Sequence, residues 1–225
     1  KREKKMDKLV IEGGHRLSGS IKISGAKNSA LPLLASGLMC SGTLILSNVP
    51  LLSDTASMIA LIEHLGVQTK RIDDEVSIIG DASILDAPYE QVRKMRAYIL
   101  VLGPLLARYG SVKVSLPGGC AIGTRPVDLH LFALKKMGAK IKIKNGYIIA
   151  EAKKGLKGST IKFPSISVGA TENALLAAFN AKGKTILKNC AIEPEIKDLI
   201  SFLKKLGANI KFSGRTIIIN ESINK

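Results

Sequence analysis

The chain has 225 residues, of which 46% are hydrophobic, so it can form a packed core and does not belong to the disordered classes. Its 34 lysines and arginines exceed its 18 aspartates and glutamates, and the formal charge of +16 indicates an anionic partner. Aromatic residues make up only 4% of the chain and tryptophan is absent, which disfavours a nucleic-acid interface built on base stacking.

The cysteines and histidines form no metal-binding or disulfide pattern. Cys40, Cys120 and Cys190 give neither a paired framework nor a Cys-x-x-Cys motif, and the three histidines lie far apart in the chain. The most apolar run, residues 97–107, is interrupted by glycine and proline and is too short to span a bilayer. We therefore expect a reduced cytoplasmic protein with no metal, no cofactor and no membrane partner.

The chain begins with a charged lead and two short strand-like stretches. Residues 1–5 are predicted to be a disordered tail, because they are charged and no apolar segment typical of a secretory signal follows them. Residues 9–12 are rich in apolar and β-branched side chains and residues 20–24 alternate polar and apolar ones, which predicts two short strands with Gly13-Gly14 as a break between them.

From Ala26 onward one pattern of elements occurs three times. Each copy has an apolar helix, a glycine turn, a strand, a loop, a second helix that ends at glycine, and a pair of strands. Two markers recur about every seventy residues, the turn glycines Gly42, Gly110 and Gly183 and the aspartates Asp54, Asp128 and Asp198. This period predicts one α+β domain of three repeats, about residues 25–81, 82–158 and 159–225, with the first helices buried and the sheets outside.

Residues shared by all three copies are interpreted as structural. The three aspartates are expected to cap the second helices, although the neighbours of Asp128 favour an additional role for it. Glycines after the same helices, Gly66, Gly138 and Gly207, are typical of helix C-termini. Differences between the copies are therefore the better functional candidates.

The first helices begin differently in the three copies. They start at Gly25-Ala26-Lys27-Asn28, Lys94-Met95-Arg96 and Val168-Gly169-Ala170-Thr171. If the repeats pack around a shared axis, these N-termini converge and offer free amides to an anion, to which Lys27 and Arg96 add full charges. The alternative is that both are ordinary solvated side chains.

The loop of the second copy, residues 115–130, is unusually rich in glycine and proline. Its three glycines and two prolines would shape an exposed turn around Cys120, and Arg125 would favour the reactive thiolate. The corresponding loops of the other copies, 47–53 and 188–197, are shorter and lack the double glycine. The alternative is that Cys120 fills the turn as a small hydrophobic residue.

Much of the positive charge lies between Lys135 and Lys162, where nine lysines face Glu151 as the only acid. Lysine and isoleucine alternate over residues 140–144, which is typical of a strand with one solvated face. We interpret these lysines mainly as surface residues, with nucleic-acid binding as the weaker alternative.

Four segments together resemble the UDP-N-acetylglucosamine 1-carboxyvinyltransferase family of enolpyruvyl transferases. They are residues 24–28, 117–120, 123 with 125–130, and 167–171. The cysteine loop distinguishes this family from the enolpyruvyl-shikimate-phosphate synthases, which share its fold. The resemblance, which runs from Met6 to the end, implies an inside-out α/β barrel of two domains, each with three βαβαββ-like repeats and pseudo-threefold symmetry, and an active site in the cleft between them.

The resemblance also implies an activity. In the family, the enolpyruvyl group of phosphoenolpyruvate is transferred to the 3-hydroxyl of UDP-N-acetylglucosamine and phosphate is released, in the first committed step of peptidoglycan synthesis. Catalytic roles would fall to Lys27, Arg125 and Cys120, the thiol that adds to phosphoenolpyruvate and that fosfomycin alkylates. Substrate-binding roles would fall to Lys27, Asn28, Arg96, Arg125, Pro126, Val127, Asp128, Leu129, Ser167, Val168 and Gly169.

Family members are longer than this chain, and residues 6–24 belong partly to their second domain. We expect the chain to lack that domain and its general-base aspartate, either as a truncated product or as one piece of a split enzyme whose second domain is a separate chain, and to be inactive alone. The alternative is a non-catalytic half that binds a nucleotide sugar or a partner chain. Nucleic acid is not an expected partner.

Overall fold

The three repeats are visible in the order of the helices and strands. The structure is a computed structural model that describes residues 8–93, 95–116 and 127–221, except for the side chain of Arg96. The first repeat contains helix α1 (Lys27–Ser36), a 3-10 turn (Gly37–Met39), strand β1 (Thr43–Leu46), helix α2 (Ser53–His64) and the hairpin strands β2 (Gln68–Ile72) and β3 (Glu75–Ile79).

The second and third repeats follow the same order and add a strand at the start. The second contains β4 (Asp86–Ala87), a short helix α3 (Tyr89–Val92), a 3-10 helix (Arg96–Val101), α4 (Leu102–Tyr109), β5 (Ser111–Ser115), α5 (Asp128–Lys136), β6 (Lys140–Lys144) and β7 (Tyr147–Glu151). The third contains β8 (Thr160–Lys162), α6 (Val168–Phe179), β9 (Thr185–Lys188), α7 (Pro194–Lys205), β10 (Asn209–Ser213) and β11 (Thr216–Asn220).

Each repeat forms its own sheet, with the strand orders β1-β3-β2, β4-β5-β7-β6 and β8-β9-β11-β10. The arrangement is the same in all three, except that the first sheet, in the part of the chain that the structure describes, has no leading strand. In each sheet the strand after the first helix pairs antiparallel with the last strand of the hairpin. The leading strands β4 and β8 pair parallel with β5 and β9. The predicted α+β fold of three repeats is confirmed.

The first helices form the centre of the domain. All ten residues from Ala170 to Phe179 of α6 are buried, as are six of the ten residues of α1. The second helices bury only one face, shown in α7 by Ile196, Leu199, Ile200 and Leu203 at helical spacing. The prediction that the first helices are buried is therefore confirmed.

Of the two predictions for residues shared by the repeats, the one for the glycines is confirmed and the one for the aspartates is wrong. Gly66, Gly138 and Gly207 follow the second helices with φ values of 90°, 93° and 95°. Residues with a side chain rarely adopt this left-handed conformation, so glycine is favoured there. The capping role of the three aspartates is wrong, since α2, α5 and α7 have no side-chain cap hydrogen bond. Two of the carboxylates instead contact α1, as described below.

The two strands predicted near the N-terminus do not form. Residues 8–24 have no strand or helix, and five of their apolar side chains are between 79% and 93% exposed: Leu9, Ile11, Leu17, Ile21 and Ile23. Alternation favours a strand only where a neighbouring strand completes the ladder of hydrogen bonds, and none of the strands above pairs with this segment. Within the ranges described, no helix is long and apolar enough to cross a membrane.

Candidate functional site

A cavity of about 540 Å³ lies where the three first helices begin. Its walls come from the starts of α1, α6 and the 3-10 helix that precedes α4, together with α2 and α5. The predicted convergence of the helix N-termini is confirmed by this geometry. The lining residues are Lys27, Asn28, Leu31, Asp54, Met95, Ala97, Ile99, Leu100, His130, Gly169 and Glu172.

Lys27 supplies a cation to the wall formed by α1. Its Nζ lies 3.0 Å from Oδ2 of Asp54, in the first turn of α2, and both side chains are partly exposed to the cavity mouth. The ion pair orients the ammonium group while leaving part of it accessible. Sequence reasoning gave Asp54 a structural role only, whereas the structure places it in the cavity wall beside Lys27.

Two carboxylates of α7 hold the beginning of α1. The Asn28 Nδ2 donates to Oε1 of Glu195 over 3.4 Å, and the Ser29 hydroxyl donates to Oδ2 of Asp198 over 2.7 Å. These contacts join the first and third repeats at the cavity. The N-terminus of α1, with Lys27 and Asn28, is thereby fixed against α7.

The N-terminus of α6 forms another wall. Ser167 is its N-cap, and the Ser167 hydroxyl accepts a hydrogen bond from the Ala170 amide over 3.3 Å. Gly169 packs against His130 so closely that a Cβ atom at Gly169 would lie 3.2 Å from Cε1 of the imidazole. The first amides of a helix have no partners within it and carry partial positive charge, so this terminus favours an anion.

His130 presents a fixed tautomer to the cavity. Asn173 Oδ1 accepts from the Gly103 amide over 2.8 Å, which identifies Nδ2 as the donor to the Ile99 carbonyl over 3.0 Å and to Nδ1 of His130 over 3.1 Å. Nδ1 therefore acts as an acceptor, and Nε2 carries the proton. Burial lowers the pKa of His130 to about 4, against a smaller opposite effect of Asp128, so the imidazole is neutral at pH 7.

Glu172 is a buried acid in the cavity wall. Only 5% of its surface is exposed. Burial raises the pKa of the Glu172 carboxyl to about 8, and the nearby charge of Glu195 makes a smaller contribution in the same direction. Ionised carboxylates are costly to remove from water unless they are paired. Glu172 is therefore mainly protonated at pH 7.

The predicted site residues fall into four groups. Lys27, Asn28 and Gly169 lie together in the cavity wall. Ser167 and Val168 adjoin it at the start of α6, and Val127, Asp128 and Leu129 lie at the start of α5, one turn or less from His130. Arg96 begins the 3-10 helix between the lining residues Met95 and Ala97, and its side chain lies outside the part that the structure describes. Cys120, Arg125 and Pro126 lie outside the described residues.

Sequence reasoning missed three titratable residues of the cavity, namely Asp54, His130 and Glu172. A signal for Glu172 was present, because Thr171-Glu172-Asn173 is a polar triplet inside an otherwise apolar helix. A polar group that is buried with a helix needs a partner or a function. Asn173 has three such partners, and Thr171 has two, the Ser167 carbonyl and the Ala191 amide.

The lysine-rich surface is separate from this set of residues. Strand β6 carries its lysines at exposed positions, as predicted for a solvated face. A second cavity of about 480 Å³ next to it is lined by Lys140, Lys153, Lys154 and Lys157. Glu151 lies 3.7 Å from Lys153 and offsets part of this charge.

The family model and two curated relatives that match this chain all carry the name of a carboxyvinyltransferase. The family model for EPSP synthase (3-phosphoshikimate 1-carboxyvinyltransferase) matches residues 11–222. The UDP-N-acetylglucosamine 1-carboxyvinyltransferase of Chlorobium limicola is 53% identical over 97% of the chain and 52% of its own length. The enzyme of the same name from Acidiphilium cryptum is 55% identical over 93% of the chain and 50% of its own length. The chain thus spans about half the length of the curated relatives it matches.

Solved structures show the same fold. The enolpyruvyl transferase NikO from Streptomyces tendae superposes with a TM-score of 0.77 at 23% identity, over 92% of the chain and 49% of NikO. An EPSP synthase from Acinetobacter baumannii superposes with a TM-score of 0.74 at 22% identity, over 90% of the chain and 47% of that enzyme. The fold class inferred from the sequence is therefore confirmed.

Proposed function

We propose that this chain, which belongs to the EPSP synthase family, forms half of a UDP-N-acetylglucosamine 1-carboxyvinyltransferase. The reaction transfers the enolpyruvyl group of phosphoenolpyruvate to the 3-hydroxyl of UDP-N-acetylglucosamine, as the first committed step of peptidoglycan synthesis in the cytoplasm. The observation that carries this proposal is the cavity in which three helix N-termini meet Lys27, Asn28 and Gly169. The 53% identity to a relative of that name supports the choice of substrate.

The charges of the cavity suit two phosphorylated substrates. Phosphoenolpyruvate would bind to Lys27, Arg96 and Arg125, because cations and helix amides stabilise phosphate and carboxylate oxygens. Asn28 would contact the sugar. The start of α6 with Ser167, Val168 and Gly169, and the segment from Arg125 and Pro126 to Val127, Asp128 and Leu129, would hold the uridine diphosphate.

The proposed chemistry is addition followed by elimination. The 3-hydroxyl oxygen bonds to C2 of phosphoenolpyruvate while C3 gains a proton, and the hydroxyl proton passes to a general base. The bond between C2 and the phosphate oxygen then breaks, C3 loses a proton, and phosphate leaves. Cys120 is the proposed thiol that adds to the same carbon and that fosfomycin alkylates. Preorganised cations and amides would stabilise the negative charge that develops on the departing phosphate.

The opposite wall of the cleft would come from a second domain. In this proposal residues 25–225 form a three-repeat domain, residues 6–24 pair partly with the other domain, and residues 1–5 are a tail. The exposed apolar side chains of residues 9–23 support such a pairing, because a run of apolar side chains this exposed usually marks a contact surface. The general-base aspartate belongs to the second domain, so the chain by itself would turn over little or no substrate.

Labelling with fosfomycin tests the assignment of the thiol. The expected result is a single adduct at Cys120, located by mass spectrometry of proteolytic fragments, and no adduct in Cys120→Ala. Cys190→Ala is the matched control, because this thiol is buried and burial raises its pKa to about 12. An adduct at Cys40 or no adduct at all would contradict the assignment.

Calorimetric titration with UDP-N-acetylglucosamine tests the substrate and separates two functions. Binding that is accompanied by phosphate release once a second domain is present indicates the enzyme. Binding that survives Cys120→Ala, with no phosphate release by the unsubstituted protein in the presence of a second domain, indicates a non-catalytic nucleotide-sugar module. Phosphate release at a normal enzymatic rate by this domain alone would contradict the need for a second domain.

A further inference from the structure

Glu172 has the surroundings of a ligand-binding group rather than those of a structural acid. It lies in the fifth position of α6, is 95% buried and faces the cavity that Lys27, His130 and Gly169 also line. Across the described part of the chain, no hydrogen bond or ion pair engages its carboxyl group, although Thr171 and Asn173 on either side are fully bonded. A buried polar group without a partner that faces a cavity is available to a ligand.

Burial is the main reason why Glu172 stays protonated, and the negative charge nearby acts in the same direction. Lys27, on α1, is paired with Asp54 of α2, and His130, on α5, is neutral. Glu195, on α7, is held by Asn28 and places a like charge near Glu172. Among the described side chains, Asp54 in the cavity wall and Glu195 on α7 carry negative charge, and the ammonium of Lys27 is already paired, which disfavours a further negative charge at Glu172.

We propose that Glu172 is a substrate-contacting residue that donates a hydrogen bond, as the neutral carboxylic acid, to an oxygen of the phosphorylated ligand in this cavity. This inference rests on the proposed function, since it assigns one contact in the same site. A neutral acid has one O–H donor, whereas the carboxylate has only acceptors. The protonated form therefore attracts an anionic oxygen, and the ionised form repels it.

This arrangement places an upper pH limit on ligand binding. Burial raises the pKa of Glu172 to about 8, so the donor is present at pH 7 and is lost as the pH rises above that value. Above a pH of about 8, Glu172 must take up a proton each time a ligand binds, and the affinity falls by up to about tenfold per pH unit. Below it, the contact is independent of pH.

Two substitutions of similar size separate the donor from the side-chain volume. Glu172→Gln keeps a hydrogen-bond donor and cannot ionise, while Glu172→Met keeps much of the volume and has no donor. At pH 6.5 we expect Glu172→Gln to bind UDP-N-acetylglucosamine within about threefold of the wild-type protein and Glu172→Met about tenfold more weakly. Thermal unfolding of both variants shows whether they are folded.

The decisive readout is the ratio of wild-type affinity to Glu172→Gln affinity between pH 6.5 and 9, measured by calorimetry on the protein as its gene encodes it. Ionisation of the ligand affects both proteins equally and leaves the ratio unchanged. The expected result is a constant ratio up to about pH 7.5 and a decline by several-fold at pH 9, with proton uptake by the wild-type protein only. A constant ratio throughout would overturn the inference while leaving the proposed function intact. Absence of binding by both proteins at pH 6.5 would contradict the proposed function itself and the inference with it.

Discussion

Asn173 donates a hydrogen bond from Nδ2 to Nδ1 of His130 over 3.1 Å, and this contact joins the first helix of the third repeat to the second helix of the second repeat. The same carboxamide also binds the Gly103 amide and the Ile99 carbonyl, on the segment that begins the second repeat's first helix. One buried side chain thus connects three elements behind the cavity. Its hydrogen bonds determine which nitrogen of His130 carries the proton.

Asn173→Ala should therefore destabilise the domain strongly. The substitution removes three hydrogen bonds and leaves the Gly103 amide and the Ile99 carbonyl buried without this partner, so we expect a loss of about 3 kcal/mol in the free energy of unfolding. Urea denaturation measures the change. Asn209→Ala, at an exposed position of β10, is the control and should change stability by less than about 0.5 kcal/mol. Equal effects of the two substitutions would contradict the role of Asn173.

Gly103→Ala should be destabilising for a steric reason. A Cβ atom at Gly103 would overlap the Asn173 side chain and lie 2.6 Å from the Asn173 carbonyl oxygen, which belongs to the helix backbone and cannot move freely. We expect a loss of about 2 kcal/mol by thermal or urea unfolding, since overpacking of this kind typically costs 1–3 kcal/mol. Gly13→Ala, with no atom within 4 Å of the new Cβ, is the control and should be neutral.

Acid should destabilise the protein through His130. Burial lowers the pKa of His130 to about 4 from its usual 6.5, so the unfolded chain binds this proton more readily than the folded one. The stabilisation is complete above pH 6.5 and is lost as the pH falls towards 4, with a slope of up to about 1.4 kcal/mol per pH unit. His130→Gln should flatten the slope in urea unfolding between pH 6.5 and 4. His15→Gln, at an exposed position, should retain it, and an unchanged slope in both variants would refute the assignment.

Lys27→Met should weaken the binding of phosphoenolpyruvate by about tenfold or more, because it removes a cation from the cavity wall and leaves Asp54 without its partner. Calorimetric titration measures this affinity. Lys22→Met is a matched control, since Lys22 forms a similar ion pair with Asp74 over 3.2 Å but does not line this cavity. Similar losses in both variants would indicate a general effect of charge and contradict a specific role for Lys27.

The repeat architecture was predictable because it follows from local signals. Glycines at helix ends and hydrophobic periodicity depend on neighbouring residues only, and Gly66, Gly138 and Gly207 have the predicted conformation. The strands expected at residues 9–12 and 20–24 were not predictable in this way. Strand formation requires a partner from elsewhere, and none of the strands in the described part of the chain pairs with that segment.

The candidate site was predictable only in part. Differences between the repeats identified Lys27, Asn28 and Gly169, which the structure brings into one cavity. The same comparison gave Asp54 a capping role, because its position in the repeat is visible in the sequence and its contact with Lys27 is not. The polar triplet of α6 marks Glu172 in the sequence, but only the packing of this helix shows that the acid is buried and faces the cavity.

The central claim is that the cavity at the helix N-termini binds UDP-N-acetylglucosamine, and backbone amide NMR during titration with that ligand tests it most directly. The account predicts saturable shifts for one site at Asn28, His130 and Gly169, with the residues of β6 unaffected. Shifts confined to the lysines of β6, or no shift at the cavity residues at saturating ligand, would contradict it.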